Sequence, residues 1–247
     1  MELKGNTILI TGGATGIGFS FADRLSKLGN TVIICGRRRD KLEEAQSKSP
    51  HILTFRADVS SEKDRRELFD YVEKVYPKLN VLINNAGIQR RVNLNEGERV
   101  LKEIDYEIEI NFRSQVHMTA TFLPLLLAQN QSAIVNVTSG LGIIPLSIFP
   151  TYSATKAAMH SYTISLRHQL KSTNVKVFEV IPPTVHDTEL KGKPLERSEY
   201  SISTTELTDA FIAGLEKDVS EIAAGSTLRW LEASGTEMKQ IFYGMNH

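Results

Sequence analysis

The alternation of short apolar runs with longer helical patterns predicts an α/β fold, in which about seven parallel strands form a doubly wound sheet with helices on both faces. Glycine-rich or polar motifs follow several of these runs directly, as is typical of the carboxyl ends of strands in such a sheet. The 247 residues contain neither an internal repeat nor a linker, and they suffice for a substantial core. We therefore expect residues 1–247 to form a single domain.

Four apolar runs in the first third of the chain predict strands, and a helical pattern follows each of the first three. The predicted strands cover residues 7–10, 31–35, 52–55 and 81–83. Two of the predicted helices cover residues 19–28 and 40–48. A third is capped by Ser60 or Ser61 and ends near Tyr76.

The rest of the chain continues this alternation. The predicted elements are, in order, a helical region at about 97–129 that is interrupted near its start, a strand at 133–137, a helix at about 152–171, a strand at 175–181, a helix at about 206–217, a strand at about 221–223 and a final helix at about 227–243. Residues 184–204 mix charged residues with proline and glycine, which predicts a substrate loop over the ligand site.

Composition and charge exclude several classes of protein. The chain is 41% hydrophobic and carries 29 basic and 29 acidic residues, so no basic excess indicates a nucleic-acid partner. Its single cysteine, Cys35, cannot form an internal disulfide, which fits a reducing compartment. With neither a signal-peptide pattern nor a membrane-length apolar run, a cytoplasmic protein is expected. The six histidines lack ligand spacing, so we predict no metal site.

A glycine-rich turn joins the first predicted strand to its helix. Thr11, Gly12, Gly16 and Gly18 form the pattern T-G-x-x-x-G-x-G. Glycines at these positions permit a tight turn, and they let backbone N–H groups and the helix N-terminus approach a pyrophosphate. The pattern therefore predicts a dinucleotide site.

The end of the second strand indicates which dinucleotide is bound. Proteins that prefer NAD usually place an acidic residue there, whereas this chain has Cys35, Gly36 and Arg37 and no carboxylate before Asp40. Arg37 could form a fork of hydrogen bonds to a 2′-phosphate, so we expect NADP(H) to be preferred over NAD(H). The alternative is that residues 37–39 are a solvated loop.

A hydroxyl, a phenol and an ammonium follow the fifth strand, at Ser139, Tyr152 and Lys156. Tyr152 and Lys156 are four residues apart, so a helix places them on one face. A neighbouring positive charge lowers the pKa of a phenol, which would suit Tyr152 to proton transfer at a carbonyl or alcohol. An amphipathic helix with a solvated lysine beside a half-buried tyrosine would show the same spacing.

The motifs taken together resemble the short-chain dehydrogenase/reductase (SDR) family in its compact branch, and the likeness covers nearly the whole chain. They are TGGATGIG at 11–18, DV at 58–59, NNAG at 84–87, Asn111, Ser139 and YSATK at 152–156. Within the family, TSGL at 138–141 and PP at 182–183 are similar to a bacterial oxidoreductase subgroup encoded beside teichoic-acid D-alanylation genes. The resemblance implies a Rossmann-type NAD(P)-binding domain.

The resemblance also implies a catalytic set of Asn111, Ser139, Tyr152 and Lys156. Tyr152 would exchange a proton with the substrate oxygen while a hydride moves to or from the nicotinamide. Lys156 would lower the pKa of Tyr152 and hold the nicotinamide ribose. Ser139 would orient the substrate carbonyl, and Asn111 would hold a water in a proton relay.

The implied cofactor-binding set is larger and comes from several strand ends. It comprises Gly12, Thr15, Gly16, Ile17, Gly18, Arg37, Asp58, Val59, Asn85, Ala86, Gly87, Tyr152, Lys156, Pro182, Val185 and Thr188. The family usually has Pro-Gly where this chain has Pro182 and Pro183, which leaves open which backbone groups reach the nicotinamide amide. A homodimer or homotetramer is implied as well, paired through the long helix and the Tyr152 helix.

Two groups of residues lie where the substrate is expected. Seven apolar residues between Ser139 and Tyr152 could form a pocket wall, or they could pack in the core or at a subunit contact: Leu141, Ile143, Ile144, Pro145, Leu146, Ile148 and Phe149. Gln89, Arg90 and Arg91 could contact an anionic substrate, although a solvated loop is favoured.

The sequence favours an oxidoreductase that transfers a hydride between NADP(H) and a small carbonyl or alcohol substrate. The alternative is a regulatory or sensor protein that binds NADP(H) without turnover. A sugar-nucleotide epimerase or dehydratase is disfavoured, because such relatives are usually longer and carry a substrate domain.

Overall fold

The computed structural model describes residues 2–188, 190, 196–198 and 200–246. Its strands are β1 (Thr7–Thr11), β2 (Thr31–Gly36), β3 (Leu53–Arg56), β4 (Val81–Asn84), β5 (Ser132–Val137), β6 (Val175–Ile181), β7 (Thr184–Val185), β8 (Ser201–Ile202) and β9 (Glu221–Ala223). Its α-helices are α1 (Gly16–Lys27), α2 (Arg39–Lys48), α3 (Glu62–Val75), α4 (Leu101–Ile108), α5 (Ser114–Leu127), α6 (Pro150–Gln169), α7 (Thr204–Glu216), α8 (Ser226–Glu232) and α9 (Gly235–Asn246).

Seven of the strands in the described residues form one parallel sheet in the order β3-β2-β1-β4-β5-β6-β9, which confirms the predicted fold class. The chain starts in the middle of the sheet, runs outward to β3 and returns to place β4 on the other side of β1. The strand order therefore reverses between β1 and β4, and ligands of open α/β sheets bind beyond the carboxyl ends of the strands at such a point.

Helices cover both faces of the sheet, and each face has its own apolar core. On one face the rings of Phe21 in α1 and Phe211 in α7 stack with centroids 4.2 Å apart. On the other face Leu68 of α3 and Phe122 of α5 are completely buried. Because both faces are covered, the strands are apolar on both sides, and they appear in the sequence as continuous runs.

The helical region before β5 is more irregular than its sequence pattern suggests. A 3₁₀ turn at Leu94–Val100 precedes α4, and Gly97 within it has a φ of +61°. This confirms the predicted interruption near the start. A π-helical turn at Glu109–Arg113 then joins α4 to α5, and it contains Asn111. Single π-helical turns of this kind are frequent at functional sites.

The structure also decides between the two candidate caps of α3. Ser61 is the N-cap, because its hydroxyl accepts a hydrogen bond from the Asp64 N–H at 3.2 Å. Ser60 bonds instead to the Asp58 carboxylate.

The prediction of one final helix at about 227–243 is wrong. Ala233 is extended, with a ψ of 135°, and it separates α8 from α9. Ser234 and Glu237 then exchange two hydrogen bonds, because each backbone N–H donates to the other residue's side chain. This is the reciprocal pattern of a capping box, and S-x-x-E at 234–237 was the sequence signal for it.

The predicted substrate loop at 184–204 is only partly described, since residues 189, 191–195 and 199 lie outside the described residues. At its two ends β7 and β8 pair in parallel as a separate two-stranded sheet. The Asp187 carboxylate accepts hydrogen bonds from the backbone N–H and the hydroxyl of Thr204, at 2.8 and 2.9 Å. The single-domain assignment and the loop's contact with substrate stay predictions.

Candidate active site

A cavity of about 500 Å³ opens at the carboxyl ends of the central strands. The structure brings every predicted site residue except Asn111 to its lining. These are Gly12, Thr15, Gly16, Ile17, Gly18, Arg37, Asp58, Val59, Asn85, Ala86, Gly87, Ser139, Tyr152, Lys156, Pro182, Val185 and Thr188.

The turns after β1 and β4 are joined by hydrogen bonds at the floor of this cavity. The Thr11 hydroxyl accepts from the backbone N–H groups of Asn85 and Ala86, both at 3.0 Å. The Asn85 amide donates to the carbonyl oxygens of Thr11 and Gly12 at 2.9 and 3.1 Å. A Cβ on Gly18 would lie 2.5 Å from the Gly12 oxygen and 2.5 Å from the Asn85 amide nitrogen, so only glycine permits this packing.

The start of α1 fits a pyrophosphate. Gly16 has a φ of +55°, and Thr15 at the N-cap makes no side-chain capping hydrogen bond. The first turn contains no acidic residue. Backbone N–H groups at this helix end therefore remain available to an anion, which the helix dipole also favours.

Two arginines that follow β2 line the same cavity. Arg37 donates a hydrogen bond to the Tyr106 hydroxyl, and its guanidinium carbon lies 5.8 Å from the centre of that ring. Arg38 lies 3.4 Å from the Thr15 hydroxyl oxygen. The nearby Asp58 carboxylate is bonded to the backbone and hydroxyl of Ser60, at 3.0 and 2.7 Å.

The segment after β6 turns back over the glycine-rich turn. Thr188 donates a hydrogen bond to the Val185 carbonyl oxygen at 3.1 Å. Its methyl carbon would lie 3.3 Å from a Cβ placed on Gly16. The Pro182 carbonyl oxygen accepts from the Gly140 N–H at 2.9 Å, which connects this segment to the turn that follows Ser139.

Tyr152 and Lys156 lie on the same face of α6, at the inner end of the cavity. The Lys156 Nζ is 5.7 Å from the centre of the Tyr152 ring and donates to the Val137 carbonyl oxygen at 2.8 Å. Both side chains are buried. Ser139 accepts a hydrogen bond from the Leu141 N–H at 3.1 Å, and its hydroxyl is also hydrogen-bonded to the Tyr152 phenol.

The prediction of a lowered pKa at Tyr152 is wrong for these contacts. Burial raises the pKa of Tyr152 to about 12, and only a hydrogen bond with Ser139 opposes the rise. Burial also lowers the pKa of Lys156 to about 8, against the attraction of Glu107 and Glu179. Desolvation outweighs the effect of the Ser139 hydrogen bond, so at neutral pH Tyr152 is a neutral phenol that can donate its proton.

Asn111 lies behind the cavity wall. Its side chain accepts from the Ile88 N–H and donates to the Ile88 carbonyl oxygen, both at 2.8 Å, and it also donates to the Thr155 hydroxyl at 3.2 Å. The side-chain amide is therefore occupied by protein groups.

The substrate end contains residues that the sequence analysis did not single out. Trp230 of α8 and Met245 of α9 line the cavity beside Leu141 and Leu146. A Cβ on Gly140 would lie 2.7 Å from the Trp230 ring, so this contact requires glycine there, but no pattern in the sequence points to Trp230.

Of the other residues considered for the substrate end, some line the cavity and some do not. Ile144 and Phe149 are buried and Ile148 is 43% exposed, and none of the three lines the cavity. Gln89 and Arg90 do line it, whereas Arg91 is exposed outside it.

In the described part of the chain, no helix is long and apolar enough to cross a membrane, and no group of three His, Cys, Asp or Glu side chains could hold a metal ion.

Comparisons with known proteins show the family of this chain. The family model for short chain dehydrogenase matches residues 6–198. The chain is 43% identical to "Uncharacterized oxidoreductase DltE" of Bacillus subtilis over 249 residues, all of this chain and 98% of that protein. This match confirms the resemblance to the subgroup associated with teichoic-acid D-alanylation. The chain is also 32% identical to "Senescence-associated protein 13" of Arabidopsis thaliana, over 73% of this chain and 68% of that protein.

Solved structures share the fold. A short chain dehydrogenase of Burkholderia cenocepacia in complex with NADP has a TM-score of 0.83 at 24% identity, over 98% of this chain and 99% of that one. A 3-ketoacyl-(acyl-carrier-protein) reductase of Brucella melitensis complexed with NADH has a TM-score of 0.81 at 24% identity, over 91% and 98%. The family match spans more than half of the chain, and the site carries the motifs in order. The chain belongs to the short-chain dehydrogenase/reductase family of NAD(P)-dependent oxidoreductases.

Proposed function

We propose that the protein transfers a hydride between NADP(H) and a small carbonyl or alcohol substrate, with Tyr152 as the general acid or base. The observation that carries this is the Tyr152 phenol beside the Lys156 ammonium, both buried at the inner end of a cavity whose other end fits a pyrophosphate. A buried proton donor next to a dinucleotide cleft is the arrangement that carbonyl reduction requires.

In this proposal the bound nicotinamide supplies or accepts the hydride, and side chains of the protein transfer the proton. Tyr152 gives its hydroxyl proton to the carbonyl oxygen as that oxygen becomes negative. The Ser139 hydroxyl, which is hydrogen-bonded to Tyr152 here, would donate instead to the same substrate oxygen and stabilise the developing charge. The Lys156 ammonium stabilises the Tyr152 phenolate that remains.

Lys156 and Asn111 have further roles in the proposal. Within the described residues Val137 takes one of the three N–H donors of Lys156, and a nicotinamide ribose would use another. The side chain of Asn111 is occupied by Ile88 and Thr155, so the predicted water would be held by its main-chain carbonyl in the π-helical turn.

The remaining cofactor contacts come from the cavity lining. We assign the pyrophosphate to the backbone of Gly12, Thr15, Gly16, Ile17 and Gly18, the adenine to the walls at Asp58 and Val59, and the central cleft to Asn85, Ala86 and Gly87. Pro182, Val185 and Thr188 border the nicotinamide side of the same cavity.

A homodimer or homotetramer is part of this proposal. Leu94, Ile104, Ile108 and Phe112 form an apolar groove with the first half of α6. Leu94 is 67% exposed and Ile108 is 41% exposed, which supports a subunit contact at this surface. A cytoplasmic location remains a prediction from the sequence.

A panel of ketones, aldehydes and alcohols tests the reaction class, with NADPH and NADH compared by their absorbance. We expect turnover of at least one carbonyl compound, with NADPH preferred. Tight NADPH binding without turnover across the panel would contradict the proposal and favour the alternative of a sensor protein.

The preference for NADPH depends on Arg37 in this account. Replacing Arg37 with serine removes charge-assisted hydrogen bonds to a 2′-phosphate, which are worth about 1.5–3 kcal/mol, so NADPH affinity should fall at least about tenfold. NADH affinity should be unchanged. Arg39→Ser is the matched control, because Arg39 is exposed and does not line the cavity. If the ratio of NADPH affinity to NADH affinity is unchanged in Arg37→Ser, Arg37 does not contact the 2′-phosphate.

A further inference from the structure

Strand β6 places a carboxyl group in the interior of the protein. Glu179 is completely buried, in a strand whose other buried residues are apolar. Side chains alternate between the two faces of a sheet, so Glu179 points to the same face as Val177, which clusters with Leu166 of α6. Burying a carboxylate is unfavourable unless its oxygens are hydrogen-bonded, so the partners of Glu179 indicate its role.

Two side chains donate hydrogen bonds to this carboxylate. The Thr138 hydroxyl lies 2.6 Å from Oε1 of Glu179, and Nδ1 of His160 lies 3.0 Å from each of the two oxygens. An ionised carboxyl group offers only acceptors, so Nδ1 of His160 carries a proton in this arrangement. Both oxygens of Glu179 therefore have a partner, and the His160 side chain, which is 27% exposed, extends from the carboxylate to the surface.

The two donors belong to the two elements that carry the candidate catalytic side chains. Thr138 lines the cavity and immediately precedes Ser139 at the end of β5. His160 lies one helical turn after Lys156 on α6. Neither His160 nor Glu179 lines the cavity. The Glu179 carboxylate therefore joins the end of β5 to α6 from behind the cavity wall.

A second contact joins the same two elements at the cavity itself. Lys156 donates to the Val137 carbonyl oxygen at 2.8 Å. The side chain of a lysine is long and flexible, so this bond alone tolerates a movement of the helix. The shorter carboxyl and imidazole groups of Glu179 and His160 tolerate less, because hydrogen bonds weaken steeply outside a narrow range of distance and angle.

We propose that Glu179 and His160 are positioning residues, which set the distance between Ser139 and the Tyr152 phenol by holding α6 against the end of β5. The inference rests on the proposed function, since it concerns the geometry that the reaction requires. A displacement of a reacting group by about 1 Å can cost roughly 10²-fold in rate, so loosening this contact should lower kcat. The glycine-rich turn binds the pyrophosphate at the other end of the cavity, so NADPH affinity should be kept.

The first test changes His160 and measures kcat for carbonyl reduction, NADPH affinity and the melting temperature. His160→Leu removes the Nδ1 donor, so kcat should fall at least about tenfold while NADPH affinity is unchanged. His160→Asn places an amide N–H near the position of Nδ1 and should recover most of the lost rate. His168→Leu is the matched control, because His168 is exposed on the same helix.

A double-mutant cycle tests whether Thr138 acts through the same carboxylate. Thr138→Val removes the hydroxyl and keeps the size of the side chain, so kcat should fall. In a Glu179→Met background this hydroxyl has already lost its acceptor, so the same change should have little further effect on kcat. Equal fold-changes in the two backgrounds would contradict a role of Glu179 in holding Thr138. The His160 variants keep the proposal testable if Glu179→Met does not fold.

The ionisation of His160 reports the contact without catalysis. The hydrogen bond to Glu179 raises the pKa of His160 above its ordinary value, against the effect of burial. Within the described residues, Glu221 of β9 and Arg167 of α6 also influence the ring, and they pair with each other at 3.1 Å. In an NMR titration the pKa of His160 should therefore fall more in Glu179→Gln than in Glu221→Gln.

The outcomes separate positioning from simple stability. A lower melting temperature in His160→Leu with the wild-type kcat would overturn the proposal and leave the pair purely structural. A loss of NADPH affinity equal to the loss of kcat would also overturn it, because the whole cavity would then be disturbed. If the wild-type protein reduces no carbonyl compound, the proposed function fails. The NMR titration would still decide whether Glu179 holds His160, since an unchanged pKa in Glu179→Gln would contradict that contact.

Discussion

The two ends of the cavity are built in different ways. At the cofactor end the backbone itself forms the surface, since Thr11 and Asn85 join two neighbouring turns through hydrogen bonds. At the substrate end side chains form the surface, and Leu146, Trp230 and Met245 come from parts of the chain about a hundred residues apart. The cofactor end depends on which residues permit a backbone shape, and the substrate end depends on long-range packing.

This difference explains why the reaction class is easier to infer than the substrate. A backbone turn with positive φ requires glycine at fixed positions, such as Gly12 and Gly16, so it leaves a pattern in the sequence. An apolar wall can be formed by many side chains of suitable size, so it leaves no recognisable pattern in the sequence.

Lys156 serves both the cofactor end and the substrate end, so we expect its substitution to have the largest effect on activity. Lys156→Met removes the ammonium that stabilises the Tyr152 phenolate and contacts the ribose, so kcat/KM should fall by roughly 10³- to 10⁴-fold. NADPH affinity should fall as well, because the ribose loses a donor. Steady-state kinetics and NADPH titration measure the two effects. Lys171→Met, just beyond the same helix and exposed, is the control that should behave as wild type. A loss confined to kcat would contradict a role of Lys156 at both ends.

The cofactor end should be intolerant of one added methyl group. A Cβ in Gly18→Ala would lie 2.5 Å from the Gly12 oxygen, which forces the turn apart. Overpacking of this kind costs about 1–3 kcal/mol, so we expect a lower melting temperature and NADPH binding weakened at least about tenfold. Gly244→Ala in α9 is the matched control, because a Cβ there meets no atom within 4 Å. Equal NADPH affinities in the two variants would show that the turn is not held as tightly as its contacts indicate.

Substitutions at the substrate end should have smaller effects on catalysis than substitutions at the cofactor end. Asn246 in α9 donates to the Pro145 carbonyl oxygen at 3.2 Å and accepts from the Ser147 N–H, which ties the helix that carries Met245 to the segment before Tyr152. In Asn246→Ala, KM for the carbonyl substrate should rise a few-fold because this wall loosens. Titration with NADPH should give the wild-type affinity. A change in NADPH affinity equal to that in KM would mean that the two ends are not separate.

Much of the fold and of the cofactor end was predictable, because local patterns determine them. The strands at β1, β2, β4, β5 and β6 are buried on both faces, and continuous apolar runs indicate this. Sequence motifs likewise predicted many of the residues that line the cofactor end of the cavity. The S-x-x-E pattern at Ser234 marks the start of α9, whereas the helical pattern alone predicts one helix at about 227–243.

The features that could not be predicted depend on tertiary packing. The spacing of Tyr152 and Lys156 indicated their common face, but the direction of the pKa shift depends on how deeply both are buried. Glu179 is a carboxylate within the apolar pattern of β6, and only the folded chain supplies the donors that its burial requires. Trp230 and Met245 reach the cavity through contacts of α8 and α9 that no local pattern contains.

The most direct test of the central claim is the single-turnover rate of hydride transfer in Tyr152→Phe, measured with saturating NADPH and a carbonyl substrate of the wild-type protein. Tyr162→Phe, a half-buried tyrosine on the same helix, is the matched control. The account predicts that Tyr152→Phe, once saturated with NADPH, loses about 10²- to 10⁴-fold in rate, whereas Tyr162→Phe keeps the wild-type rate. A wild-type rate of hydride transfer in Tyr152→Phe would contradict it.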